Sequence, residues 1–270
     1  MWHRLRLLCP EPLKRVFRRV RGRLIDPLDR GITTVVSGVP VRVPAYFRGG
    51  GHADYELASA RLFTRWLKAH PRGLVMDIGC SVSTYGIIAL SASPENRLIA
   101  IDPDLASLVW TRFMCSKAGN PQRMRLIRGF VVARADPARS ADGACADTAG
   151  ELDRKSADLF AEVRKYQDSH DASNVAVARH SVDALMEGEA CDGGLLVKID
   201  VEGNELGVLE GSRRTLARTG ACVLVSVHPQ FGVDVAEVRR FFDSVGYSAE
   251  HFATDHEEHW WCEPRAAKVS

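Results

Sequence analysis

At 270 residues and 46% hydrophobic content, the chain is long enough for one large domain, or one domain with an appendage, around a sizeable core. A net charge of +2 excludes a protein-wide field for nucleic acid, and no apolar run approaches the roughly 18 residues that cross a bilayer. Seven cysteines without a C-x-x-C pair point to reduced thiols in a cytoplasmic enzyme rather than to a disulfide framework.

Residues 1–30 are rich in arginine, and Arg4 and Arg6 interrupt the apolar start, so no signal peptide is expected. Leu13, Val16, Phe17, Val20 and Leu24 recur at helical spacing behind Pro12, which describes a basic amphipathic helix. Such a helix either makes peripheral contact with an anionic membrane or packs on the domain with its arginines in water. Ile32 to Pro44 reads as a hairpin about Ser37-Gly38, and Asp54 to His70 as a helix closed by Pro71. We take 1–44 as an N-terminal segment and 45–270 as the main domain.

From Gly73 the pattern alternates. Leu74 to Ile78 is a strand, GCSVSTYG a turn, Tyr85 to Ala92 a helix, Leu98 to Ile101 a strand, Leu105 to Ala118 a helix and Met124 to Val132 a strand. Such alternation predicts βαβ units and a parallel sheet, a Rossmann-like α/β fold. Asp102 ends the second strand some twenty residues beyond the first turn, where nucleotide-binding α/β folds place a carboxylate on ribose hydroxyls. Residues 134–173 depart from the pattern and read as an insertion, either a lid or a surface loop, with a helix over 151–167. Val175 to Ala178 is a further short strand, Ala221 to Val227 another, and Val233 to Val245 a helix. Tyr247 to Phe252 and Glu258 to Cys262 close the chain as an antiparallel pair.

The most informative stretch is Leu195 to Gly211, LLVKIDVEGNELGVLEG. Its apolar run reads as a strand buried on both faces, followed by a helix over Asn204 to Leu216. Asp200 and Glu202 close the strand at the sheet edge where ligands bind, although two acids there can also cap the next helix. Lys198 to Gly211 closely resembles the K-I-D-V-E-G-x-E-x-x-V-L-x-G signature of the FkbM-type methyltransferases, and Ser181 to Leu185 resembles that family's T-L-D-x-L.

The resemblance implies a class I fold with a closing antiparallel edge, S-adenosyl-L-methionine (SAM) as cofactor, and a small-molecule, glycan or lipid acceptor. It places the cofactor on Asp77, Gly79, Ser81, Tyr85 and Asp102. Here Ser83 stands where the family's turn has its second glycine, and serine resists positive φ. The absence of N-P-P-Y or D-P-P-Y at Asp200-Val201-Glu202-Gly203 points from base N-methylation towards a hydroxyl acceptor. Asp200 is the first candidate base, Glu202 shares that role or orients Lys198, and His228 at the end of the next strand competes with Asp200. We assign no metal: His251, His256, His259 and Cys262 do not form H-E-x-x-H and alternate across a hairpin, while a divalent cation at Asp200 and Glu202 is the alternative. Other readings are a nicotinamide-dependent oxidoreductase, disfavoured because the turn lacks G-x-G-x-x-G, and a membrane-surface binding protein using residues 1–30.

Overall fold

The computed structural model describes residues 30–45, 53–135, 177–254 and 257–266. The expected helices in residues 1–30 and 151–167 lie outside the described residues, as do His256 and nearly all of the 134–173 insertion. Among the described residues no helix is long and apolar enough to cross a membrane.

The hairpin forms as expected. Strands β1 (Ile32–Val36) and β2 (Val39–Val43) pair antiparallel through Ser37 and Gly38, both at positive φ, the two-residue turn whose twist matches its strands. Helix α1 (Leu57–Ala69) begins later than expected, after Glu56 in the left-handed region. Then come β3 (Leu74–Ile78), α2 (Thr84–Ala92), β4 (Arg97–Asp102), α3 (Leu105–Cys115) and β5 (Met124–Arg128).

The expected third strand, 124–132, is divided. Gly129 N–H turns back to the Asp102 carbonyl, and β6 (Phe130–Val131) pairs instead with β7 (Arg179–His180). Of the strand expected at Val175 to Ala178, Val175 and Ala176 lie outside the described residues; Ala178 accepts from Phe130 N–H, and the described strand here is β7. After α4 (Val182–Leu185) and β8 (Leu195–Ile199), the single helix expected over 204–216 is two, α5 (Glu205–Glu210) and α6 (Arg213–Thr219). The break falls at Gly211, where a Cβ would stand 2.4 Å from the Val132 carbonyl oxygen and whose own carbonyl accepts from Asp183 N–H. The chain closes with β9 (Cys222–Val227), α7 (Val235–Ser244), β10 (Tyr247–Thr254) and β11 (Glu258–Pro264).

Seven strands form one sheet in the order β10-β11-β9-β8-β3-β4-β5. Neighbours among β9, β8, β3, β4 and β5 are parallel, and β11 is antiparallel to both of its neighbours. Strands β3 and β8 are buried throughout, as expected of near-continuous apolar runs covered on both faces. Alternation divides their side chains. Leu74, Met76, Ile78, Leu195, Val197 and Ile199 enter one apolar cluster with α7, while Val75 and Leu196 enter another with Phe63 of α1, Ile87 and Ile88 of α2, and Val36, Val41 and Val43 of the hairpin. Leu224 of β9 and Trp261 of β11 belong to the second cluster too. Counting by twos, Asp77, Lys198, Ser226 and His259 face that same side. Because β11 runs antiparallel, its first residue, Glu258, pairs with the last of β9, Val227. Glu257 thus arrives at the same sheet edge as Asp102, Asp200 and His228.

Candidate active site

The turn after β3 is held by its own side chains. Asp77 is buried, and Ser83 donates its hydroxyl to Asp77 Oδ2 at 2.7 Å. Ser83 has φ 51° and Ser81 φ 46°, so both adopt the conformation that serine resists. The bond to Asp77 is what ties Ser83 there. Burial lifts the Asp77 carboxyl to about 7, against opposing help from Ser83 and Lys198. Gly79 has φ 75°, and a Cβ on it would stand 1.7 Å from the Asp200 carbonyl oxygen. The turn and the end of β8 are therefore in backbone contact.

Asp102 receives the same turn from the other side. Its Oδ2 accepts Ser81 N–H at 2.9 Å and its Oδ1 accepts Asp104 N–H at 2.8 Å. Burial raises its pKa, and those two N–H groups oppose the rise. Glu202, exposed and at φ 49°, adds negative charge near Asp102. A carboxylate offers about four lone-pair positions, so one bond per oxygen leaves capacity for the two hydroxyls of a ribose. A side-chain-free close approach at Gly79 beside that carboxylate fits a nucleoside-bearing cofactor such as SAM. Tyr85 is placed differently. Its hydroxyl donates to Glu56 Oε2 at 2.5 Å, and its ring lies 5.4 Å beneath the Lys198 ammonium.

A second cluster forms beyond β8 and β9. Lys198, 1% exposed, points inward and donates to Ser226 Oγ at 2.6 Å and to Asp200 Oδ2 at 3.2 Å. Burial disfavours its charge, but Asp200, Glu56 and Glu257 outweigh that and raise its pKa. The His228 ring is shared among acids. Nδ1 is 2.6 Å from Glu205 Oε1, while Nε2 is 2.7 Å from Glu257 Oε2 and 3.6 Å from Asp200 Oδ1. Burial would lower its pKa, yet the hydrogen bond to Glu205 and the charges of Glu205, Glu257 and Asp200 raise it, favouring imidazolium. Asp200 is the more open member, its side chain 24% exposed against 4% for His228.

Asp200 and His228 are thus brought together, while Glu202 lies on the Asp102 side. The second acid of the signature beside His228 is Glu205, which was not among the residues singled out in the sequence; Glu202 was expected to share the base role or to orient Lys198. Glu205 is the x-E of that signature, so a readable signal existed. Glu257 and Glu56 carried none, because the pairing of β11 with β9 and the packing of α1 on α2 bring them in. His251, His259 and Cys262 do not converge: His251 is exposed and bonds Thr254 Oγ1, whereas Cys262 lies in the apolar cluster on the other face of the sheet from His259.

The profile of the methyltransferase FkbM domain matches residues 91–249, more than half of the chain, including Asp102 and the Lys198–Gly211 signature but not the turn after β3. No curated protein matches the chain. Among solved structures it is similar to methyltransferase FkbM from Methylobacillus flagellatus KT, at 13% identity and TM-score 0.45, covering 72% of this chain and 44% of that one. It is also similar to a precorrin-6y C5,15-methyltransferase from Geobacter metallireducens GS-15, at 11% identity and TM-score 0.45, over 78% and 90% of the two chains. An O-methyltransferase from Bacillus cereus in complex with SAH matches at 11% identity and TM-score 0.42, over 78% and 83%. The chain spans less than half the length of the Methylobacillus protein.

Proposed function

The chain belongs to the FkbM methyltransferase family, with the Rossmann-like class I methyltransferase fold, and from that premise we propose that it methylates a hydroxyl on a sugar, lipid or secondary metabolite. In this reading Asp102 and the turn from Asp77 through Ser83 hold SAM, which supplies an electrophilic methyl group. The observation that carries the proposal is the contact between Gly79 and the Asp200 backbone. It sets Asp200, more open than His228, against the turn that in this reading holds the cofactor.

A neutral hydroxyl attacks poorly and must shed its proton during or after attack. Asp200 is the acceptor of that proton. His228 is the weaker candidate, since both of its nitrogens already meet carboxylates and those charges favour its protonated form. Lys198 fixes Asp200 through Oδ2, leaving Oδ1 on the His228 side. Holding the acceptor oxygen in line is the larger part of the rate, and the rigid strand ends serve that. Glu202, beside Asp102, belongs with cofactor binding rather than proton transfer.

Calorimetry with SAM, S-adenosylhomocysteine and NAD tests the cofactor. Binding of NAD with neither adenosyl compound overturns the reading in favour of an oxidoreductase. For the base, Asp200→Asn should lower turnover at least about 100-fold at saturating SAM with little change in cofactor affinity. Retained turnover in Asp200→Asn together with loss in His228→Ala would move the base to His228. Metabolite profiling of a deletion strain, seeking a product lighter by one methyl group, identifies the acceptor.

A further inference from the structure

Glu205 opens α5 and is fully buried, 0% exposed. Its Oε1 accepts Gly203 N–H at 3.1 Å and stands 2.6 Å from His228 Nδ1. Its Oε2 is shielded from solvent and meets no hydrogen-bond donor. Both contacts of this carboxylate thus fall on one oxygen. The ring it meets has a second short contact, from Nε2 to Glu257 Oε2 at 2.7 Å. A neutral imidazole carries one N–H and would turn a lone pair on one of these two oxygens, whereas imidazolium donates to both. A carboxylate enclosed with one oxygen unbonded is costly unless a cation lies against it, and the His228 ring is placed to be that cation.

We propose that Glu205 is a positioning residue for methyl transfer that acts through His228, holding the ring as a fixed imidazolium beside Asp200 so that Asp200 stays ionised. This role rests on the methyltransferase reading. Asp200 then lies between two cations, Lys198 on Oδ2 at 3.2 Å and His228 Nε2 at 3.6 Å from Oδ1. At 3.6 Å the ring attracts Oδ1 without hydrogen-bonding it, which leaves Oδ1 to the acceptor hydroxyl. The hydroxyl proton passes to Oδ1 as the new C–O bond forms and the methyl C–S bond breaks, releasing S-adenosylhomocysteine. His228 keeps both of its protons throughout. The charged groups facing the ring are Glu205 from α5, Asp200 after β8 and Glu257 before β11. Burial works against charge on the ring, and the Glu205 hydrogen bond with the charges of Glu205, Glu257 and Asp200 outweighs it.

The His228 ring, identified in proton NMR by its contact with Phe231, is followed against pH in the full chain with chelator and no substrate. It should stay protonated through pH 7. Glu205→Gln, which keeps the shape of the side chain but not its charge, should lower the midpoint by at least about one pH unit. Glu210→Gln, an exposed acid of the same helix, should leave it in place. A wild-type midpoint at or below the ordinary value of about 6.5 overturns the proposal, as does a midpoint that Glu205→Gln does not lower. In turnover, with the acceptor found by metabolite profiling, kcat of Glu205→Gln should fall about tenfold at pH 8 and little at pH 6, with KM for SAM unchanged. Glu205→Asp keeps the charge and should recover part of that loss. An unchanged kcat, or a loss equal at both pH values, overturns the positioning role. If Glu205→Gln does not fold by circular dichroism, the wild-type midpoint and Glu205→Asp decide. Failure of SAM to bind removes the methyltransferase reading instead, while the titration still decides whether Glu205 holds the ring charged.

Discussion

Asp77 and Ser83 show how one side chain offsets the strain of another. A left-handed non-glycine residue costs about 1–2 kcal/mol, and an unmade hydrogen bond to a buried carboxyl costs about 1–3 kcal/mol. Ser83→Gly relieves the first and incurs the second, while Ser83→Ala keeps the first and incurs the second. The expected order of urea midpoints is wild type, then Ser83→Gly, then Ser83→Ala; a Gly variant above wild type would show that the bond to Asp77 is worth less than the strain it offsets, and a Ser83→Ala level with wild type that it contributes nothing. Asp77 itself gives a pH signature. Its folded pKa of about 7 lies above its unfolded value of 3.8, so the native state keeps a proton that the unfolded chain releases. Its contribution to stability is present below pH 3.8 and is lost as pH rises through 7. Asp77→Asn lacks that loss, so the variant should gain on wild type between about pH 4 and 7 and hold level above, as denaturation at pH 4.5 and pH 8 would read. At Lys198, removal of the buried cation strands Asp200, Glu56 and Glu257 together. Lys198→Met should cost about 3–5 kcal/mol, the range for breaking a buried pair, measured by chemical denaturation.

At the scale of elements, the site depends on where strands stop. Strands β3 and β8 run in register, Ile78 opposite Ile199, so the turn after one meets the residue after the other. Gly79→Ala therefore faces two penalties, a positive φ and a 1.7 Å collision with the Asp200 carbonyl oxygen. Neither can be relieved by a side-chain rotation, because the obstacle is backbone. The expected result is loss of SAM binding by calorimetry, with any folded fraction melting lower than wild type. The division of α5 from α6 works in the same way. The α5 segment keeps Glu205 in its first turn beneath His228, and α6 departs at the Gly211 contact with Val132.

Across the whole molecule, the face that carries the site is also the face on which the hairpin, α1 and α2 pack. Phe63 is fully buried there, edge-on to Tyr85 with ring centroids 4.9 Å apart. Tyr85 in turn holds Glu56, which electrostatically supports Lys198. Phe63→Ala should cost about 3–5 kcal/mol in urea denaturation, as expected for a buried aromatic. It should also lower turnover more than a core truncation on the opposite face, such as Phe242→Ala, matched for stability. Equal losses would mean that the hairpin face stabilises the fold without tuning the site.

Much of this was legible in the chain itself. Buried parallel strands need near-continuous apolar runs, and Leu74 to Ile78 and Leu195 to Ile199 supply them, so the sheet, its edge and Asp102 and Asp200 upon it follow from local pattern. Ser37-Gly38 fixes the hairpin for the same local reason. What remained hidden depends on contacts between distant segments. No spacing reveals that Gly211 meets Val132, that Phe130 leaves the sheet to pair with Arg179, or that the last hairpin delivers Glu257 beside His228 and His259 beside Ser226. Alternation along a strand assigns Lys198 to a face but does not say which face is covered by what. Only packing put Ser226, Glu56 and Tyr85 around it and turned a lone charge in an apolar strand into the centre of the site, because a buried ammonium is stable only where carboxylates from several elements converge.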